Sequence, residues 1–111
     1  LCYVARELAR CFLVAVNIPR AQVQSEDWGK LKDQYGLGDD ALPYQINEVM
    51  KGITEEMSIP YYDGRLDSVA WYLKNGILHF PVDGHYNING NNFMGSKVGD
   101  FIIEQQLIKT N

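Results

Sequence analysis

Two histidines are the side chains best suited to chemistry in this sequence. His79 and His85 flank the turn-forming pair Asp83-Gly84. Histidine titrates near neutral pH, so one imidazole can accept a proton while a second one donates it. Cleavage of RNA through its own 2′-hydroxyl group needs such a base and such an acid, together with a cation for the phosphate. The pair therefore suggests the chemistry of a metal-free ribonuclease.

Other polar side chains on the same stretch of chain could complete the site. We assign the catalytic roles to both histidines and to Tyr72. Lys74 and Lys97 are the candidates for binding phosphate, and Asn87 is a candidate for positioning it. The grouping is not specific, because two polar histidines on the solvent side of a sheet account for the same pattern.

A three-stranded antiparallel meander over residues 69–89 is the element expected to position these side chains. Asn75-Gly76 lies between alternating apolar residues and favours a tight hairpin turn. A second turn with Gly84 in a left-handed bulge keeps Tyr86 on the apolar face. Side chains alternate along a strand, so one face then carries Trp71, Leu73, Leu78, Phe80, Tyr86 and Ile88. The candidate site residues of the meander share the opposite, solvent-facing side.

Two segments also fit a second interpretation. Residues 65–74 place apolar side chains at helical spacing, although the agreement of turn, pairing and face favours a strand from about Ser68. Residues 101–108 fit a strand or a helix, and their β-forming side chains favour a fourth strand. The glycine- and asparagine-rich residues 90–99 between them are expected to form a loop.

The predicted fold is therefore α+β, with short N-terminal helices packed on one face of a C-terminal four-stranded antiparallel sheet. Apolar spacing predicts helices over residues 3–16, 25–36 and 43–52, although the β-branched residues 12–16 also allow a strand. The third helix is expected to turn its apolar residues inward: Ile46, Val49 and Met50. The length of 111 residues fits one domain, 1–111. Because the sequence does not begin with methionine, we expect a fragment or C-terminal module of a longer chain.

The net charge of −4 is unevenly distributed. Residues 21–67 carry ten acidic and four basic side chains, whereas residues 68–111 carry three of each. This balance discourages binding to nucleic acid or to an anionic membrane, although a local patch could still bind either. A solvated outer face explains the acidic helices, and a basic partner is the alternative.

No membrane segment or leader is evident. No apolar run approaches the roughly 18 residues of a transmembrane helix. Residues 1–18 lack the pattern of a signal peptide. We therefore expect a protein that is cytoplasmic or delivered into a cytoplasm, with no membrane partner.

No cofactor is predicted. His79 and His85 could bind zinc, but a third ligand is not evident, because Asp83 points into the turn. The asparagine-rich run that begins at His85 follows the spacing of a calcium loop but supplies no carboxylate. Residues 90–97 approach a phosphate-binding loop, with the order of serine and lysine reversed. Cys2 and Cys11 on one helix would lie too far apart for a disulfide.

Two functions are consistent with these observations. The histidine, tyrosine and lysine grouping favours a small ribonuclease with an RNA substrate, which would be the catalytic module of a delivered toxin and would meet a protein inhibitor. The acidic balance favours the alternative, a non-catalytic protein–protein interaction domain that uses the sheet face or the acidic helices.

Overall fold

The structure, a computed structural model, describes residues 12–106 of the chain. Within that range, 58% of the residues are helical, and the strands are two short ones. In chain order the elements are β1 Val14–Ala15, α1 Arg20–Val23, α2 Ser25–Tyr35, α3 Gln45–Glu56, β2 Tyr61–Tyr62, α4 Arg65–Asn75 and α5 Ile88–Glu104. No helix between residues 12 and 106 combines the length and apolar character needed to cross a membrane.

The prediction of a four-stranded antiparallel sheet is wrong. β1 and β2 pair in parallel, with Val14 opposite Tyr61. The Val14 amide donates to the Pro60 carbonyl at 2.9 Å, and the Val16 amide donates to the Tyr62 carbonyl at 3.2 Å. The α+β class is replaced by a mostly helical arrangement with a two-residue parallel ladder.

The predicted first strand of the meander is α4. This helix ends at Gly76, whose φ is +108°, and the Asn75 side chain donates to the Trp71 carbonyl at 3.2 Å. At the other end, the Asp63 carboxylate accepts a hydrogen bond from the Arg65 amide at 3.0 Å. Glycine with positive φ ends helices as well as turning hairpins, so Asn-Gly did not distinguish the two structures.

Part of the predicted second hairpin remains, in a different register. His79 and Tyr86 form an isolated antiparallel bridge, and the Phe80 amide donates to the His85 carbonyl at 2.8 Å. The predicted register paired Phe80 with Tyr86, one residue further along. His79 is 2% exposed and its neighbour Leu78 is fully buried, whereas Phe80 and Ile88, which were assigned to the core, are 48% and 76% exposed.

The predicted loop over residues 90–99 and the favoured strand over residues 101–108 are also wrong as far as the structure describes them. Residues 90–99 and 101–104 belong to α5, which begins after Asn87; the Asn87 side chain accepts a hydrogen bond from the Gly90 amide at 2.8 Å. Residues 107 and 108 lie outside the described residues. Glycine and asparagine are poor helix formers. Burial of Met94 and packing of Phe93 against the core outweigh that propensity.

The first predicted helix lies mostly outside the described residues. Residues 3–11 and both cysteines cannot be compared with the structure for that reason. Within residues 12–16 the chain forms the two-residue strand β1, Val14–Ala15, in agreement with the strand alternative. The helix predicted over residues 25–36 is confirmed as α2, and its terminal Gly36 is left-handed with a φ of +62°.

The core of the described residues is small and partly polar. Its buried apolar side chains are Ile18, Val23, Leu78 and Met94, and the partly buried residues packed around them include Trp71, Tyr72, Tyr86 and Phe93. Gln22 and Asn47 are also buried and exchange two side-chain hydrogen bonds of 2.8 and 3.0 Å. Such pairing offsets the cost of removing two amides from water.

Candidate functional site

His79 is a structural residue of the core. Its Nε2 lies 2.8 Å from the Ile18 carbonyl oxygen, and its ring stacks on Tyr86 with the centroids 4.8 Å apart. The Tyr86 hydroxyl accepts a hydrogen bond from the Ile18 amide at 2.8 Å. The side chains of His79 and Tyr86 therefore pair with the backbone carbonyl and amide of Ile18. We call this arrangement the Ile18 clamp.

The clamp requires neutral His79. Nε2 must carry the proton in order to donate to the carbonyl oxygen, and Nδ1 has no hydrogen-bond partner. A second proton would bury an unpaired N–H group and a positive charge. Burial lowers the pKa of His79 below 6.5; the Ile18 carbonyl and Asp27 oppose this shift, and Arg20 adds to it. The folded protein therefore keeps this imidazole uncharged at neutral pH.

Acid should destabilise the fold through His79. Its pKa is lower in the folded state than in the unfolded state, so the unfolded chain binds more protons below about pH 6.5. The stabilisation is complete above that pH and is lost as the pH falls towards the folded pKa. Urea melts between about pH 8 and about pH 5.5 should show this loss in the wild type.

Two histidine variants make this prediction specific. His79→Gln should be less stable at neutral pH and should lose the pH dependence in this window. His85→Gln is the matched control and should keep it, because the His85 side chain is 83% exposed. An unchanged pH dependence in His79→Gln would contradict the assignment.

His85 is separated from His79 by the alternation of the hairpin. Its Nδ1 lies 3.5 Å from the Asp83 carboxylate, and both side chains are exposed. The Asp83 carboxylate also accepts a hydrogen bond from the His85 amide at 3.0 Å, and this bond lowers the pKa of Asp83. The shared sheet face that was expected to join the histidines is therefore not formed. Ribonuclease action by this pair stays a prediction without geometric support.

The other predicted site residues are divided between two places. Tyr72 packs against the core, and Asn87 caps α5 while its side chain donates to the Ile77 carbonyl at 3.2 Å. Lys74 and Lys97 do come together, because both line a groove between α4 and α5. The structure thus places two of the three predicted substrate-binding residues side by side, far along the chain from each other.

The most unusual surface of the described chain is the outer face of α3. This apolar α3 face consists of Ile46, Val49 and Ile53 together with Met57, the residue directly after the helix; they are 59%, 55%, 45% and 47% exposed. Spacings of three and four residues place them on one side of the helix. A surface helix ordinarily buries its apolar stripe against the core. In α3 the apolar side faces solvent.

The inward side of α3 is polar. Asn47 and Thr54 are 1% and 2% exposed, and the Asn47 amide also donates to the Asp63 carboxylate at 2.9 Å. The Tyr61 hydroxyl donates to the Asn47 carbonyl at 3.0 Å. These directional bonds, together with the exchange between Asn47 and Gln22, fix which side of the helix points outward.

α3 is an acidic helix. Glu48, Glu55 and Glu56 are all exposed on it, and Lys51 is its one basic side chain. They belong to the acidic segment of residues 21–67. The apolar α3 face therefore lies on a helix with a net negative charge.

The acidic helices are evident from the sequence, but its apolar spacing predicted that Ile46 and Val49 point to the interior. The exposed side chains of these residues show that this orientation is wrong. A signal was present in Asn47 and Thr54, which lie seven residues apart and therefore share one polar side of the helix, about 100° from Ile46 and Ile53. The orientation of α3 is fixed only by the hydrogen bonds of Asn47 to Gln22, Asp63 and Tyr61.

Fold and surface together define a mostly helical domain that presents an outward-facing apolar helix. No protein-family model matches the chain, and neither a curated protein nor a solved structure matches it. Within residues 12–106, no three or more histidine, cysteine, aspartate or glutamate side chains group as metal ligands.

Proposed function

We propose that this domain is a non-catalytic protein-interaction module and that the apolar α3 face is its docking surface. The observation that carries the proposal is the orientation of α3, which buries polar Asn47 and Thr54 and exposes Ile46, Val49 and Ile53. The occupant is an amphipathic helix of another protein, with lysine or arginine beside its apolar stripe.

Burial of apolar surface supplies the affinity. Each of the four side chains still exposes roughly half of its surface. Covering a large aliphatic side chain completely is worth about 1.5–3 kcal/mol, so covering half of four of them contributes several kcal/mol. Anchors spaced at three, four and seven residues are the contacts through which one helix packs along another.

Charge selects the partner. The exposed carboxylates Glu48, Glu55 and Glu56 lie on the same helix as the docking surface, and residues 21–67 carry an excess of six acidic residues, ten against four basic ones. Complementary charge accelerates encounter and suppresses partners of like charge. A cationic helix is favoured, and an anionic helix is repelled.

Binding of two designed helical peptides tests this function. Both carry the same leucine stripe; one is flanked by lysine and the other by glutamate, and fluorescence anisotropy measures their affinities. We expect the lysine-flanked peptide to bind at least about tenfold more tightly, a difference of about 1.4 kcal/mol. Ile53→Asp should weaken its binding by a further tenfold or more, because it places a charge in the contact.

Leu73→Asp is the matched control. Leu73 is 78% exposed on α4, away from the apolar α3 face, so this variant should bind like the wild type. Equal affinity of both peptides, or of Ile53→Asp and the wild type, would refute the docking surface. Sedimentation of the domain alone tests whether the occupant is a second copy of this chain. A dimer that Ile53→Asp dissociates would identify that second copy, and not a cationic partner, as the occupant.

A further inference from the structure

A groove of about 290 Å³ lies between α4 and α5, on residues that the proposed docking surface does not use. Trp71 and Phe93 contribute aromatic surface to its lining, and Lys74 and Lys97 contribute the cations. Its size is at the lower end of the range for small-molecule sites, which suits a ligand of the size of one nucleotide.

The aromatic part of the groove is held in place by the core. The ring centroids of Trp71 and Phe93 lie 5.7 Å apart at an interplanar angle of 42°. Both residues are partly buried and pack against the buried cluster, which fixes one side of each ring. The exposed part of each side chain lines the groove. A fixed aromatic surface of this kind can stack on a planar base at little entropic cost.

The cations are available to an anion. Within residues 12–106, neither lysine ammonium group lies within 4.0 Å of a carboxylate oxygen. The Lys97 ammonium lies 5.8 Å from the centroid of the Phe93 ring, which places a positive charge directly beside the aromatic surface. Two lysines on facing helices can contact one phosphate from both sides.

Acidic groups limit how much anionic charge the groove accepts. Asp67 is part of its lining, and its carboxylate accepts a hydrogen bond from the Tyr62 hydroxyl at 2.8 Å. Asp100 and Glu104 line an adjacent cavity of about 110 Å³ that shares Lys97. The groove thus favours one phosphate rather than several, and Asp67 offers an acceptor for a ribose hydroxyl or a base amino group.

We propose that this groove binds one nucleoside monophosphate unit, either free or within single-stranded RNA. The base lies against Trp71 and Phe93, and the phosphate lies between Lys74 and Lys97. Aromatic stacking contributes about 1–3 kcal/mol per base, and the lysines add selectivity for the phosphate. The site stands independently of the docking surface on α3.

Tryptophan fluorescence measures this binding directly. The chain has two tryptophans, so Trp28→Phe leaves Trp71 as the sole reporter. We expect saturable quenching by adenosine monophosphate and at least tenfold weaker affinity for adenosine. Inorganic phosphate should cause no quenching. Lys74→Ala and Lys97→Ala should each weaken nucleotide binding by at least fivefold, and Lys97→Arg should retain it. Lys51→Ala, on α3, is the control and should have no effect.

A tetranucleotide of RNA distinguishes the two sources of the ligand. Binding at least tenfold tighter than that of the mononucleotide identifies single-stranded RNA, and equal binding identifies the free nucleotide. Ile53→Asp should leave nucleotide binding unchanged, which separates this result from failure of the docking surface. Absence of saturable quenching, equal affinity for adenosine and its monophosphate, or unchanged binding in both lysine-to-alanine variants would overturn the proposal.

Discussion

Replacement of Gly90 by alanine should destabilise the protein by about 3 kcal/mol or more, a large part of the free energy of unfolding of a small domain. A Cβ atom at this position would lie 2.8 Å from Tyr86 Cδ1 and would overlap the Leu78 carbonyl group. That carbonyl accepts a hydrogen bond from the Asn87 amide at 2.9 Å. The Leu78 backbone cannot move away from residue 90 without breaking this hydrogen bond of the hairpin.

Gly95 provides the matched control in the same helix. A Cβ atom there meets nothing within 4 Å. Alanine is favoured over glycine in a helix interior by about 1 kcal/mol, so Gly95→Ala should stabilise the protein slightly. Urea melts followed by circular dichroism measure both changes. Similar effects of the two substitutions would show that the start of α5 does not pack on the Leu78 backbone.

Leu78→Ala should cost about 2–5 kcal/mol, more than Phe80→Ala, although phenylalanine is the larger residue. Leu78 is fully buried, whereas Phe80 is 48% exposed and its truncation should cost about 1 kcal/mol. The order follows from the burial of these two side chains in the structure. The sequence prediction placed both of them in the core.

The same melts test this difference in burial. A loss for Phe80→Ala equal to or larger than that for Leu78→Ala would show that Phe80 lies in the core, as the sequence predicted. Val82→Ala is a suitable control in the same hairpin, because Val82 is 96% exposed and its truncation should leave the free energy of unfolding nearly unchanged.

Local sequence signals determined the elements whose stabilising groups are close in the chain. α2 has acidic residues in its first turn and a left-handed Gly36 at its end, both of which can be recognised without tertiary contacts. The turn at Gly84 has the positive φ, +76°, that the sequence predicted. The acidic excess of residues 21–67, which include the helix of the docking surface, was also evident from composition.

Only the tertiary structure decided the rest, because the local signals fitted more than one structure. Residues 65–75 satisfy both helical and strand periodicity, and Asn75-Gly76 can end a helix or turn a hairpin. The buried position of His79 depends on Ile18, and the orientation of α3 depends on bonds from Asn47 to Gln22 and Asp63. These partners lie between 16 and 61 residues away, so no pattern within a single element specifies them.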